Sequence, residues 1–424
     1  MADGAGPSIW QRFSHTPGKT LKGDTGDIAC DHYHHFLEDI DLMRQLGMQA
    51  YRFSIAWGRI LPNGIGAVNK AGLDFYDRLV DALLEAGISP MSTLYHWDLP
   101  QALDDRGGWL NPDIAKWFGD YAELVFNCLD DRVKHWITLN EPWVISDHGY
   151  LHGTHAPGHT SLNEAAIASH NLMSASAEAV RRYRSVGKHQ IGLAVNIEPK
   201  YPVSQKPEDL AATQRADAYM NRQYLDPALL GEYPAEMEEW FGDAWPVRPA
   251  DEADKLNEPL DFVGINYYTR AVTRHAPEAW PLQTATVRQP QSTYSETGWE
   301  VYPQAFADVL NWVKDRYDNP VVYITENGSA FYDPPTAESD RIDDPLRQSY
   351  LRSHIRAVYN AMLDGCDIRG YFAWSFMDNF EWAHGFSKRF GLVHIDYETL
   401  QRTPKESAKL YRNIIQSHGG CLGI

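Results

Sequence analysis

The sequence predicts an α/β protein, a single-domain (β/α)8 barrel of the TIM type over residues 1–424, with only seven strands recognisable. Three observations carry this. Seven short, nearly continuous apolar segments recur along the chain, as strands buried on both faces of a parallel sheet do. Longer amphipathic stretches alternate with them, and no Ser/Gly-rich linker interrupts the rhythm. No G-x-G-x-x-G follows the first strand, which counts against an open doubly wound sheet built around a nucleotide.

The strands are expected at 51–55, 88–95, 133–139, 191–196, 262–268, 321–325 and 370–376. Before the first, CDHYHHFLEDIDLMRQLG reads as a helix, so the strand that should precede that helix is missing from the count. LDFYDRLVDALLEAGI places Leu73, Tyr76, Leu79, Val80, Leu83 and Leu84 on one stripe, closed by Gly87. NPDIAKWFGDYAELVFNCL offers Asn111 as N-cap and Pro112 at the first helical position. NEAAIASHNLMSASAEAVRRYR, FADVLNWVKDRY and RSHIRAVYNAML have the same character. Two stretches break the rhythm: 269–301 is rich in Pro, Thr and Gln, and 331–345 in Pro and Asp. Both follow strands, on the side where barrel active sites sit, and are expected to be active-site loops.

Composition narrows the class. With 38 basic and 57 acidic side chains the formal net charge is −19, which argues against nucleic acid and anionic membranes as partners. No apolar run approaches the ~18 residues of a spanning helix. Fourteen Trp and 23 Tyr supply flat faces with a polar edge, suited to stacking on sugar rings as well as to core packing. Cys30, Cys128, Cys366 and Cys421 are scattered with no C-x-x-C pair, which excludes a Cys-based zinc cluster and fits a reducing compartment. The opening MADGAGPSIWQRF has neither a basic nor an apolar leader region, so a cytoplasmic location is expected. The DHYHH cluster (Asp31–His35) opens a helix, lacks a second ligand cluster and reads as packing rather than a metal site. Ser54, Ser92 and Ser375 stand in no G-x-S-x-G elbow.

Two acids stand where apolar strand segments end: Glu141 after HWITLN, and Glu326 after VVYIT. In a closed barrel both strand ends open into one mouth, and two facing carboxyls suit glycoside hydrolysis: one protonates the leaving oxygen, the other attacks the anomeric carbon. YRFSIAWGRILP, STLYHWDLPQAL, TLNEPW, DFVGINYYT, ITENG, AWSFMDNFEWAHGF and KRFGLVHIDYETLQRTPKESAKLY occur in this order. Together they resemble glycoside hydrolase family 1, the β-glucosidase family, over nearly the whole chain.

The resemblance implies a retaining mechanism, with Glu141 as acid/base and Glu326 as nucleophile. Asn140 resembles the residue that hydrogen-bonds the sugar 2-hydroxyl. Arg52 and Tyr268 resemble the pair flanking the nucleophile. His96, Trp97, Asn266, Glu381 and Trp382 match the glycone contacts, Trp374 the stacking floor, and Phe390 a position near the sugar 6-position. In the family's branch for 6-phosphorylated sugars a Ser replaces Glu381, so an unphosphorylated sugar is expected; a carboxylate would repel the phosphate. Trp143, His148, Trp299 and Tyr302 are aglycone candidates, with packing an equal contender. No cofactor and no metal are implied. The expected partners are small β-glycosides or oligosaccharides, whereas monomer and homo-oligomer stay open.

The family also carries an N-terminal strand with a sugar-binding Gln before the element matched by Gly6–Trp10; here that strand would precede Met1. Two alternatives follow: a sugar-binding barrel with little or no turnover, and, less favoured, a 6-phospho-β-glycosidase.

Overall fold

A computed structural model describes residues 2–245, 255–334 and 341–424. The strands are β1 (Ala50–Ser54), β2 (Ser89–Tyr95), β3 (His135–Asn140), β4 (Gln190–Asn196), β5 (Lys200–Pro202) and β6 (Phe262–Tyr267). They continue as β7 (Ala271–His275), β8 (Thr284–Thr286), β9 (Val322–Asn327), β10 (Ile368–Ala373), β11 (Val393–Ile395) and β12 (Arg402–Pro404). Seven of them form one parallel sheet in the order β1-β2-β3-β4-β6-β9-β10, a near-closed barrel. Each of the seven overlaps a strand expected from the sequence. β1 and β10, the two ends of the order, do not pair, and a cavity of about 830 Å³ lies between them.

The barrel interior holds Met91, Ile137, Ala194 and Phe262, with Tyr323 and Phe372 packed against them. Helices cover the outside, joined to the strands by one extended apolar cluster. Lys70–Glu85 buries Phe75, Tyr76, Leu79, Val80 and Leu83. The expected stripe is corrected at one end, since Leu84 is 42% exposed and Phe75 takes its place in the core. The helix expected from Pro112 begins at Ile114 with Asp113 at its cap; Asn111 instead accepts a hydrogen bond from the Asp113 amide, which holds a turn ahead of the helix. The three DHYHH histidines each face their own carboxylate: His32 meets Asp39, His34 meets Asp31 and His35 meets Glu38. Among the described residues no cluster of His, Cys, Asp and Glu is arranged to hold a metal ion. No helix there is long and apolar enough to cross a membrane.

Segment 269–301 contains β7 and β8, which join β5 in a small three-stranded sheet. Its Thr-rich alternation is a strand signal outweighed by the neighbouring Pro and Gln residues. Of 331–345, positions 335–340 lie outside the described residues.

A buried ion cluster anchors the stretch that follows β10. Arg347 meets Asp344 at 2.7 Å and Asp333 at 2.9 Å, Lys405 meets Asp333 at 2.7 Å and Asp378 at 2.9 Å, and Arg389 meets Asp378 at 2.7 Å. Asp378 also accepts the Gly391 amide at 2.9 Å, so the cluster clamps both ends of the loop that carries Glu381, Trp382 and Phe390. Removing one partner of such a set strands a charge out of water. Lys405→Met is expected to lower stability by about 3–5 kcal/mol, read as a shift of the urea unfolding midpoint.

Candidate active site

The ends of β2, β3, β6 and β9 and the middle of β1 converge on one polar cluster. Arg52 lies midway along β1 with its side chain in the barrel, and both it and Glu326 are almost fully buried. Its Nη1 donates to Glu326 Oε1 at 2.8 Å and its Nη2 to Asn140 Oδ1 at 2.6 Å. The Tyr268 hydroxyl donates to the other oxygen, Glu326 Oε2, at 2.6 Å. Each oxygen of Glu326 is therefore oriented by one strong, charge-assisted donor.

Glu141 sits immediately after β3, its backbone in the left-handed region at φ 51° and its N–H donated to the Ala194 carbonyl at 2.9 Å. Its Oε1 accepts from Asn266 Nδ2 at 2.8 Å. Burial, reinforced by the negative charge of Glu326, raises the Glu141 carboxyl well above its usual range, against the opposing pull of Asn266 and Arg52. The two acids thus stand in contrasting settings a short distance apart, the pattern that separates an acid from a nucleophile.

One amide orients the next. Asn140 Oδ1 accepts from both Arg52 and Asn266 (3.0 Å to the latter), which turns the Asn140 NH2 toward His96 Nε2 at 3.2 Å. That nitrogen must accept, so the His96 proton resides on Nδ1, an assignment made from the network. Burial, and then the Arg52 charge, lowers the His96 imidazolium well below the usual range, in keeping with a neutral ring. Thr325 fixes Asn266 in turn, its hydroxyl donating to Asn266 Oδ1 at 2.5 Å. Irregular register at Asn140, at Asn266 and near Ala373 re-aims the side chains at these strand ends.

Aromatic rings line the remaining walls. His96 lies parallel to Trp374 (centroids 5.7 Å apart) and to Trp382 (6.2 Å), and the Trp97 indole donates to the Asn140 carbonyl at 3.0 Å. Phe390 packs beside Tyr268 and Trp299. Trp97 (φ 75°) and Trp382 (φ 48°) share with Glu141 a left-handed backbone that non-glycine residues seldom adopt, and such strain concentrates at working sites. Glu381 lies deep in the cleft yet remains within reach of solvent, and burial with the nearby Glu326 pushes its carboxyl up to about 8.

Outward from Glu141 runs a cleft of about 590 Å³ that Trp143, His148, Trp299, Glu381 and Trp382 help to line. Tyr302 is absent from that lining: its ring lies 3.4 Å beneath the Arg270 guanidinium and its carbonyl accepts from Tyr267. Packing, the alternative weighed for it, is what the structure shows. Sequence reasoning passes over three further residues. Asn196 lines the cleft at the C-terminal end of β4, where the strand-end rule applied to Glu141 finds it. His155 sits between Trp97 and His148 with no sequence signal. Trp10 packs its ring 4.5 Å from Trp382, inside a motif quoted for resemblance alone.

A family model described as Glycosyl hydrolase family 1 matches residues 1–420. The chain belongs to this family. Beta-glucosidase A of Thermotoga maritima is 46% identical to this family 1 chain over 421 residues, covering 99% of this chain and 94% of that protein. The beta-glucosidase of an Agrobacterium species is 43% identical, covering 97% and 90%. Among solved structures, the family 1 β-glucosidase of Thermotoga maritima superposes with a TM-score of 0.96 at 45% identity, covering 99% of this chain and 94% of that one. The same Thermotoga enzyme in complex with deoxynojirimycin gives the same TM-score, 0.96.

Proposed function

We propose that this chain is one catalytic domain acting in the cytoplasm as a retaining β-glycosidase. It releases terminal, non-reducing β-D-glucosyl residues through a covalent glycosyl-enzyme intermediate, and takes β-galactosides and β-fucosides as well. The observation that carries the reading is the contrast between the two buried carboxyls. Glu326 has both oxygens oriented by donors, whereas Glu141 is raised by burial and by Glu326 itself.

In the first step Glu141 gives its proton to the leaving oxygen while Glu326 attacks the anomeric carbon. Once Glu326 is an ester its negative charge is gone, and Glu141 loses one cause of its raised pKa. It then serves as the base that draws a proton from the incoming water. Asn140, held by Arg52 and Asn266, presents its amide to the sugar 2-hydroxyl. His96, Trp97, Asn266, Glu381 and Trp382 read the other hydroxyls, Trp374 forms the floor and Phe390 flanks the 6-position. Trp143, His148 and Trp299 receive the aglycone. The binding-only alternative is not favoured: a carboxylate with both oxygens oriented beside a carboxyl raised by burial supports turnover.

The test is the anomer first released. Proton NMR of 4-nitrophenyl β-D-glucoside turnover is expected to show β-glucose before mutarotation. First-formed α-glucose, or no glucose from a folded protein, contradicts the proposal.

Glu381 sets the sugar class. Glu381→Ser removes the hydrogen bonds that the carboxyl group offers the sugar and is expected to lower kcat/KM for the glucoside about 10²-fold, with KM rising. Lys388 does not offset this, since its ammonium already donates to the Glu296 carbonyl at 2.7 Å. Unchanged glucoside kinetics in this variant would reopen the 6-phosphoglycoside reading.

A further inference from the structure

The cleft that leads outward from Glu141 does not stop at Trp143, His148 and Trp299. Its outer wall is the small sheet β5-β7-β8, two of whose strands lie in segment 269–301. Register fixes which side chains face the cleft. Thr273 stands opposite Thr286 in the antiparallel pair β7-β8, and opposite Pro202 in the parallel pair β5-β7, so these three share one face. Thr284 and Lys200 lie two residues along their strands and hence on the same face. Lys200, Thr273, Thr284 and Thr286 all line the cleft.

This wall has unused hydrogen-bonding capacity. The Lys200 side chain is 9% exposed. Its ammonium donates to Glu198 and reaches the Met220 sulfur at 3.2 Å, so among the described residues only one of its three N–H groups meets an oxygen. Glu198 balances the Lys200 charge, so the wall suits neutral hydroxyls better than an anion.

The turn between β7 and β8 supplies a second, independent feature. Trp280 is 61% exposed and packs on no other ring among the described residues, yet it lines the same cleft. An indole left in water at the mouth of a sugar cleft offers its flat face to a ligand. Three hydrogen bonds hold the turn: the Ala276 amide donates to the Gln283 carbonyl at 2.9 Å, the Gln283 amide to the Ala279 carbonyl at 2.6 Å, and Arg215 Nε to the Leu282 carbonyl at 3.3 Å. A platform fixed in this way loses little freedom when a ligand lands on it. A purely apolar aglycone would use the indole and leave Lys200 and the threonines facing carbon. A sugar ring serves both, with a flat C–H face for the indole and hydroxyls for the polar wall.

We propose that Trp280 and the cleft-facing side of β5-β7-β8 bind the outer part of a β-linked gluco-oligosaccharide, beyond its first leaving sugar. Trp280 stacks on that outer ring, and Lys200, Thr284 and Thr286 meet its hydroxyls. Resting on the hydrolase reading above, this site favours chains of three or more sugars over cellobiose.

The test compares kcat/KM of the full chain and of Trp280→Ala on 4-nitrophenyl β-D-glucoside, cellobiose and cellotriose. The parent is expected to prefer cellotriose to cellobiose about tenfold. Trp280→Ala loses most of that preference through a higher KM. It stays within about twofold of the parent on the two substrates too short to reach the turn, and its thermal midpoint is unchanged because the ring is exposed. Trp280→Phe keeps part of the preference. Thr284→Val combined with Thr286→Val, a change of similar shape that suits a strand, is expected to lower cellotriose kcat/KM about threefold and to spare the aryl glucoside. Equal kcat/KM of the parent on cellobiose and cellotriose, or a Trp280→Ala variant that loses as much on the aryl glucoside as on cellotriose, would overturn the site and leave the hydrolase reading intact. Turnover of none of the three substrates by the folded parent would overturn that reading, and the site with it.

Discussion

Glu326→Ala is expected to lower kcat/KM for 4-nitrophenyl β-D-glucoside by at least about 10⁴-fold, with the fold intact by circular dichroism. The size of the effect follows from the geometry. Arg52 and Tyr268 converge on the two oxygens of this one carboxylate, at 2.8 and 2.6 Å, so the nucleophile is pre-oriented and nothing else in the cluster replaces it. The alanine leaves a small vacancy beside a guanidinium and a phenol, a place suited to a small anion. Azide is expected to restore turnover partly and to give α-glucosyl azide, because it attacks from the face Glu326 has vacated. A variant that keeps ordinary activity, or azide rescue giving the β product, would show that Glu326 is not the nucleophile.

Glu141→Ala has a different signature. Loss of acid assistance is expected to cost about 10²–10⁴-fold on cellobiose, whose leaving alcohol needs a proton. The loss is far smaller on 2,4-dinitrophenyl β-D-glucoside, whose phenolate leaves unaided. With the activated substrate the intermediate accumulates and azide resolves it to the β-glucosyl azide. The pH profile changes as well. Glu141 is raised well above the ordinary carboxyl range by burial and by Glu326, so its acid form persists as pH rises and is lost only as pH passes its folded value. The alkaline limb of kcat/KM in the parent therefore reports Glu141, and it is expected to disappear in the variant. Equal losses on both substrates with the alkaline limb retained would assign the acid role elsewhere.

The sequence made the barrel legible because each strand is a nearly unbroken apolar run. Its limits lie where local signals compete. Residues 374–376 continue the apolar run of β10, yet the strand ends at Ala373: the Trp374 amide donates to the Asn327 carbonyl at 2.9 Å and the chain then turns into the sugar site. Segment 269–301 hides two strands behind its Pro and Gln content. Leu84 satisfies the helical period but faces solvent, whereas Phe75, outside the chosen stripe, fills the core.

The candidate site divides in the same way. Glu141 and Glu326 are visible as acids closing apolar runs, and the family motifs suggested their neighbours. No local pattern joins Arg52 to Glu326, since only the closing sheet brings β1 and β9 to one mouth. Tyr302 carried the same aromatic signal as Trp299 and lies under Arg270 instead, because a ring beside a strand end serves an arginine as readily as a ligand. The seven strands of the parallel sheet were legible as a count.

A retaining mechanism requires Glu326 to form a covalent bond to the sugar. Incubation with 2,4-dinitrophenyl 2-deoxy-2-fluoro-β-D-glucoside slows both steps while its good leaving group lets the first proceed. The predicted result is stoichiometric loss of activity with one fluoroglucosyl group on Glu326, located by peptide mass mapping. A label on any other residue, or turnover of the parent glucoside by a protein that never becomes labelled, would contradict it.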